Sequence, residues 1–291
     1  MNPAKIILIA GPTASGKSAL ALDMARRTNG VIINADAMQV YAGLPILTAQ
    51  PEPDAQQEVP HELYGVLDPS ERSSAGKWLA LASAAIANGQ KENRVPVLVG
   101  GTGLYFRTLL GGLADIPAIP ETVRQETQAL YARLGEADFR NELKKHDPAS
   151  AARIERNDRQ RLIRAYEVSA HTQKPLSEWQ KATHAPVYDP EIHLVMPRRE
   201  ELYAACDRRL LGMIERGAVE EVRAFLKRRI DPELPAMKTL GLREIVAHLA
   251  GELSLGDAIA KAQQATRNYA KRQMTWFRNQ KLGYSARASN P

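Results

Sequence analysis

The stretch Lys5-Ile6-Ile7-Leu8-Ile9-Ala10-Gly11-Pro12-Thr13-Ala14-Ser15-Gly16-Lys17-Ser18 decides the fold. Its first half is a short apolar run, the pattern of a strand buried on both faces. Its second half, Gly11–Ser18, fits G-x-x-x-x-G-K-[ST] without a gap. Helical spacing follows over Lys17–Arg27, with Leu20 and Met24 on one side. Strand, glycine loop and helix in that order form a phosphate cradle. Glycines allow the tight turn and the close approach of backbone to phosphate oxygens. Successive N–H groups and the helix N-terminus point at the anion. Lys17 adds a full charge, and the Ser18 hydroxyl can sit on Mg²⁺. The loop reports a diphosphate or triphosphate and most often means ATP. It does not report a reaction, since kinases, ATPases and prenyl diphosphate transferases can all use it.

Moving outward, Val31–Asn34 reads as a second strand and is followed by Asp36. Ser74–Asn88 is rich in Ala and Leu and reads as a helix. Val95–Val99 reads as a third strand. It ends in Gly100-Gly101-Thr102-Gly103, and a helix over Leu104–Leu110 follows. Strands alternating with helices imply a doubly wound parallel sheet. Ligands in such sheets sit at the carboxyl ends of the strands, so Asp36 is expected near the loop. Three roles are open to it: general base, outer partner of a bound Mg²⁺, or cap of the next segment.

The pattern changes after Gly111-Gly112. From Ile116 to about Asp189 charged helical runs replace strands: Glu121–Leu134, Glu136–Lys145, Ala149–Ile154 and Asp158–Ala170. Pro117/Pro120 and Pro186/Pro190 bracket them. The expected fold is therefore a P-loop α/β core, residues 1–112 and 190–291, with a helical insertion at 113–189. A strand is expected over Ile192–Met196, ended by Pro197. C-terminal helices follow, the last over Asp257–Gln280.

Of 291 residues, 39 are Lys or Arg and 33 Asp or Glu, a net charge of +6 that favours anionic partners. Arg153, Arg156, Arg159, Arg161 and Arg164 crowd the insertion, and Arg267, Lys271, Arg272, Arg278 and Lys281 the last helix. The lone cysteine, Cys206, excludes an internal disulfide and a cysteine-based zinc site. It fits a reducing compartment. No apolar run approaches a membrane span, and a cytoplasmic monomer is the expectation.

Several blocks then resemble the tRNA dimethylallyltransferase (tRNA isopentenyltransferase) family. They are Gly11–Ser18, Asp36-Ala37-Met38-Gln39-Val40-Tyr41, Pro60-His61-Glu62-Leu63, Gly100–Tyr105, Asn157–Ala165, Thr172–Ser177, Pro197–Tyr203, Gly241–Glu244 and Lys271–Arg278. The ordered set is far more specific than any one block. The resemblance implies transfer of a dimethylallyl group from its diphosphate to the exocyclic amine of the adenosine 3′ of the anticodon. It assigns Asp36, Lys17 and Thr102 to catalysis. Gly11, Pro12, Thr13, Ala14, Ser15, Gly16, Lys17, Ser18 and Arg198 would hold the diphosphate. Mg²⁺ would sit on Ser18. The tRNA anticodon stem-loop would meet Asp36, Ala37, Met38, Gln39 and Thr102 and, further along, Arg124, Gln160, Arg161, Leu162, Ile163, Arg164, Gly241, Leu242 and Arg243.

The chain departs from the family pattern at Ala37, where Ser is usual, at Gln50, where Lys is usual, and at Gln173, where Gly is usual. Two rivals differ in acceptor or donor. An adenylate isopentenyltransferase would not need the basic insertion. A P-loop small-molecule kinase would use ATP.

Overall fold

A computed structural model describes residues 4–181 and 188–280; Pro186 and Lys281 of the expectations above lie outside them. The chain divides into two compact units, Met1–Leu110 with Pro186–Pro291, and Gly111–Ala185.

The first unit opens with β1 (Ala4–Ala10), α1 (Lys17–Thr28) and β2 (Gly30–Asn34). Three short elements follow: α2 (Pro45–Thr48), α3 (Pro53–Glu58) and β3 (His61–Glu62). Then come α4 (Ala75–Lys91), β4 (Val95–Gly100) and α5 (Gly103–Gly111). Strand order is β3-β2-β4-β1-β5, where β5 is Tyr188–Leu194, and every pairing is parallel. Alternation along the strands loads two cores. Ile6, Leu8, Ile33 and Leu98 face a cluster closed by Trp78, Ile86, Phe106 and Phe277. Ile7, Ile9, Ile32, Val97 and Val99 face the opposite cluster, closed by Ala21, Met24 and Ala25 of α1. The near-continuous apolar runs in the sequence follow from this burial on both faces.

β5 begins at Tyr188 and not at Ile192, inside the stretch expected to close the insertion at residue 189. It is an edge strand, only partly buried, so its apolar residues do not mark its length. The edge also tolerates Pro190, which cannot donate to a ladder. α2, α3 and β3 were not expected, because elements of two to six residues are too short to show a period.

The rest of the unit is helical: α10 (Arg199–Glu215), α11 (Ala218–Leu226), a 3₁₀ turn at Pro235–Lys238, α12 (Leu242–Leu249) and α13 (Leu255–Asn279). α2, α10, α11 and α12 share a third core of Leu44, Leu47, Leu210, Val222, Phe225, Leu242 and Ile245.

The second unit holds α6 (Glu121–His146), α7 (Pro148–Arg153), α8 (Arg159–Thr172) and α9 (Leu176–Trp179). Gly135 breaks α6 with φ 73° and ψ 175°, where the sequence separates two helices. Phe139, Leu143, Leu162, Ile163 and Val168 form its core. Two polar staples close it. The Asp147 carboxylate accepts from Ser150 N, Ser177 N and Ser177 Oγ at 2.7–3.0 Å. Arg140 donates to the carbonyls of Ala151, Ile154 and Glu155 and to Glu136.

Candidate active site

The loop after β1 carries Gly16 at φ 87°, capping α1, and Ala14 at φ 60°. A cavity of about 260 Å³ is lined by Ala14, Ser15, Gly16, Lys17, Ser18, Ala205 and Arg209. Lys17 is buried, and its Nζ donates to the Pro12 carbonyl at 3.0 Å. Burial first, then the Arg209 charge, lower its pKa to about 8, with Asp36 pulling the other way. Burial also lowers the Arg209 pKa, again opposed by Asp36. Arg209 Nη1 donates to Thr13 Oγ1 at 3.1 Å. Ser15 Oγ is buried with no hydrogen-bond partner among the described residues. Two desolvated cations and an unused hydroxyl around a small cavity are the chemistry of a site for a compact polyanion.

Arg209 was missed in the sequence, where it is one arginine in a basic helix. Arg198, expected at the diphosphate, does not line this cavity. It is the N-cap of α10 with extended backbone, and its guanidinium turns onto Glu201 at 2.5–2.8 Å. Gln273 of α13 was also missed. Its Oε1 accepts from Thr13 N at 2.8 Å, and its Nε2 donates to Gly101 O at 2.8 Å. It ties the loop to the end of β4.

Asp36 follows β2 on the same side of the sheet. Its Oδ1 accepts from Met38 N at 2.9 Å, and its own N–H donates to Asn34 Oδ1 at 2.8 Å. Asn34 is fully buried; its Nδ2 donates to Asp36 O and Leu63 O, and Trp78 Nε1 donates to its carbonyl. Thr102 Oγ1 accepts from Ala37 N at 3.0 Å. Gly100 allows this close approach, because a Cβ there would lie 2.1 Å from Ala35 O. Asp36, Ala37, Met38, Gln39 and Thr102 are all only partly buried, and they form one rim at the strand ends. Gln39, expected to bond an acceptor base, turns inward: Nε2 donates to Thr48 O and Ala49 O. Gln50, where a charged contact was in question, donates Nε2 to Gln39 O and Tyr41 O.

A cleft of about 530 Å³ runs along α13, lined by Asn268, Lys271, Arg272, Thr275, Trp276, Asn279 and Gln280. Of the other residues expected to meet RNA, Gln160, Arg161 and Arg243 are exposed, and Arg124 and Arg164 partly so. Leu162, Ile163 and Leu242 are core residues, and Gly241 is buried with φ 83° against Leu47. A motif on a helix includes the face that packs, and its polar flanks Gln160 and Arg161 reach solvent.

No cluster of three His, Cys, Asp or Glu side chains suited to a metal occurs among the described residues. Ser18 is exposed at the cavity. That donor set suits a hard cation that arrives on phosphate oxygens and takes one protein hydroxyl. No described helix is long and apolar enough to cross a membrane.

Fold and cavity together define a P-loop α/β protein whose acid and phosphate cradle both follow the carboxyl ends of parallel strands. Family models extend this: "IPP transferase" matches residues 39–280 and "Isopentenyl transferase" residues 4–61. The chain is 54% identical to a tRNA dimethylallyltransferase of a Caulobacter strain over 96% of this chain and 91% of that protein. It is also 54% identical to one of Rhodospirillum centenum, over 94% and 88%. It superposes on a eukaryotic dimethylallyltransferase acting on tRNA with a TM-score of 0.83, at 29% identity, covering 94% of this chain and 70% of that one. The full-length tRNA isopentenylpyrophosphate transferase of Bacillus halodurans gives 0.68 at 34% identity, covering 96% and 88%. The chain belongs to the tRNA dimethylallyltransferase family, the IPP transferases.

Proposed function

We propose that the chain transfers the dimethylallyl group of dimethylallyl diphosphate to the exocyclic amine of the adenosine 3′ of the anticodon in tRNA, releasing diphosphate, in the cytoplasm. The observation that carries this reading is the pair of cations, buried Lys17 and half-buried Arg209, lining one small cavity at the phosphate loop.

Ionisation of an allylic diphosphate puts negative charge on the leaving group. Lys17 moves from the Pro12 carbonyl to a phosphate oxygen, and Arg209 and the Ser15 hydroxyl supply further donors. Preorganised donors in a dry site stabilise such charge without reorganisation. Ser18 would hold Mg²⁺, which would neutralise part of the same charge. The adenine amine is a weak nucleophile because its lone pair is delocalised into the ring. Asp36 accepts its proton and aims it at the allyl carbon. The base must leave its stack to reach such a rim, which an anticodon loop allows. The exposed Gln160, Arg161 and Arg243, with Arg124 and Arg164, supply phosphate contacts, and Thr102 holds the Asp36–Met38 turn from below.

The test is incubation with Mg²⁺, labelled dimethylallyl diphosphate and either unmodified tRNA or AMP. Label on tRNA is the expected result. Label on AMP alone, or ATP turnover without transfer, overturns the reading.

A further inference from the structure

Glu221 of α11 lies far from Asp36 in sequence and outside every block that carries the family resemblance. Its two carboxylate oxygens are spent on one target. Oε1 accepts from Ile46 N at 2.7 Å and Oε2 from Leu47 N at 2.8 Å, across 175 and 174 residues. These are first-turn amides of α2, which have no partner within the helix. A one-turn helix is not stable by itself, so α2 depends on what fastens it. The other end of α2 meets the acceptor rim. Thr48 O and Ala49 O accept from Gln39 Nε2 at 2.9 and 2.7 Å. Ala49 adopts φ 52°, which turns Gln50 back so that its Nε2 reaches Gln39 O and Tyr41 O at 3.2 and 2.8 Å. Gln39 is the neighbour of Met38, whose N–H donates to Asp36 Oδ1.

Hydrogen bonds and short stretches of backbone therefore join two carboxylates, from Glu221 through α2 and Gln39 to the Asp36 turn. We infer that Glu221 is a positioning residue for the acceptor rim: it anchors α2, and α2 holds the Asp36–Gln39 turn in the geometry that transfer requires. The inference rests on the reading of Asp36 as the base. Glu221 touches neither substrate. Its path does not include Lys17, Arg209 or Gln273, which shape the diphosphate cradle. Burial raises the Glu221 pKa against the two amides that hold it down, as suits a carboxylate enclosed by the α2–α11 core.

The test uses the full chain with tRNA and Mg²⁺ and compares Glu221→Gln with Gln39→Met. Glu221→Gln replaces one acceptor oxygen by an amide NH₂, a donor that faces a backbone N–H. Gln39→Met removes the tie at its other end and leaves α11 untouched. Each variant is expected to lower kcat roughly 10–100-fold, the range that a small misplacement near the chemistry produces. Affinity for inorganic pyrophosphate should stay within about 2-fold of wild type. The double variant should be no worse than the more impaired single variant within about 2-fold, because both cuts fall on one path. Exchange of the Met38 amide with deuterium, read by NMR, should accelerate in both.

Unchanged Met38 exchange overturns the inference. So does pyrophosphate affinity that falls together with turnover, which would mean general loosening. Full turnover in both variants despite faster exchange overturns it as well. Retained turnover in Asp36→Ala defeats the base assignment separately, and Met38 exchange then still decides whether Glu221 holds the rim.

Discussion

The loop Gly11–Ser18 and the helix Arg159–Thr172 both present cations suited to phosphate, yet they are built in opposite ways. At the loop, Lys17 is buried and turns onto a carbonyl, and Arg209 of α10 turns onto the Thr13 hydroxyl. On the helix, Arg161 pairs with Asp158 at 2.9 Å and Arg164 with Glu167 at 3.3 Å, the arginine side chains 75% and 42% exposed. The first arrangement is electrostatically incomplete until an anion arrives, and low dielectric magnifies the gain when it does. The second is already neutralised and hydrated, so an added phosphate replaces one partner with another. One is a site for a small anion. The other is a surface that reads charge through salt-sensitive contacts.

The largest expected break in this contrast is at the rim of the cradle. Asp36→Ala should lower turnover roughly 10²–10⁴-fold, the span of general-base effects, while tRNA affinity stays near wild type. Single-turnover transfer and filter binding on the same preparation separate the two. A fall in tRNA affinity with turnover preserved at saturation would show that Asp36 binds and does not act as the base. Next in size is the cradle itself. Arg209→Ala should weaken pyrophosphate binding on the order of 10²-fold, as removing one member of a buried charge pair does. Arg198→Ala should change it less than about 3-fold, because its pairing with Glu201 is exposed. Titration calorimetry checks both, and the reverse ranking would return the diphosphate contact to Arg198.

How much of this was legible follows from where the determinants lie. Ile6–Ser18 is contiguous, and both its apolar run and its glycines are dictated by local needs, so strand, loop and helix read directly from sequence. The break at Gly135 was legible for the same reason. Arg209 and Gln273 act on the loop across 196 and 260 residues, and nothing local marks them out from neighbouring Arg208 and Arg272. Only the packing of α10 and α13 against the loop selects them. The start of β5 was obscured because a half-buried edge strand carries polar residues such as Glu191 and His193. The burial of Leu162, Ile163 and Leu242 was not legible from the resemblance, which marks a run of residues and does not say which face of a helix packs. Gln39 was polar in a loop, and only α2, too short to read, shows that it points inward.

The insertion also offers a test of how it is held. Burial alone would raise the Asp147 pKa, but hydrogen bonds from Ser150 and Ser177 hold it below the ordinary carboxylate range. A group with a depressed folded pKa stabilises the fold above its unfolded value, near 3.9, and loses that contribution as pH falls through the folded value. Asp147→Asn should cost about 2 kcal/mol at pH 7, in the range for hydrogen bonds to a charged group. Its penalty should shrink on acidification below the unfolded value, about 3.9, as thermal melting will report. Pyrophosphate binding, a property of the other unit, should be unchanged. A penalty independent of pH would mean that the carboxylate charge is not what the staple uses.

The smallest expected effect falls on the helix itself, where it bears most directly on the contrast. Arg161→Ala leaves the insertion core alone, because Arg161 is exposed and its pairing with the N-cap Asp158 is worth little in water. If its guanidinium meets a phosphate, tRNA affinity should weaken and the slope of log K against log salt should flatten by about 1. Turnover at saturating tRNA should not move. An unchanged slope would make Arg161 a solvated residue serving its helix N-terminus alone. RNA contact on this unit would then rest on Gln160, Arg124 and the partly buried Arg164.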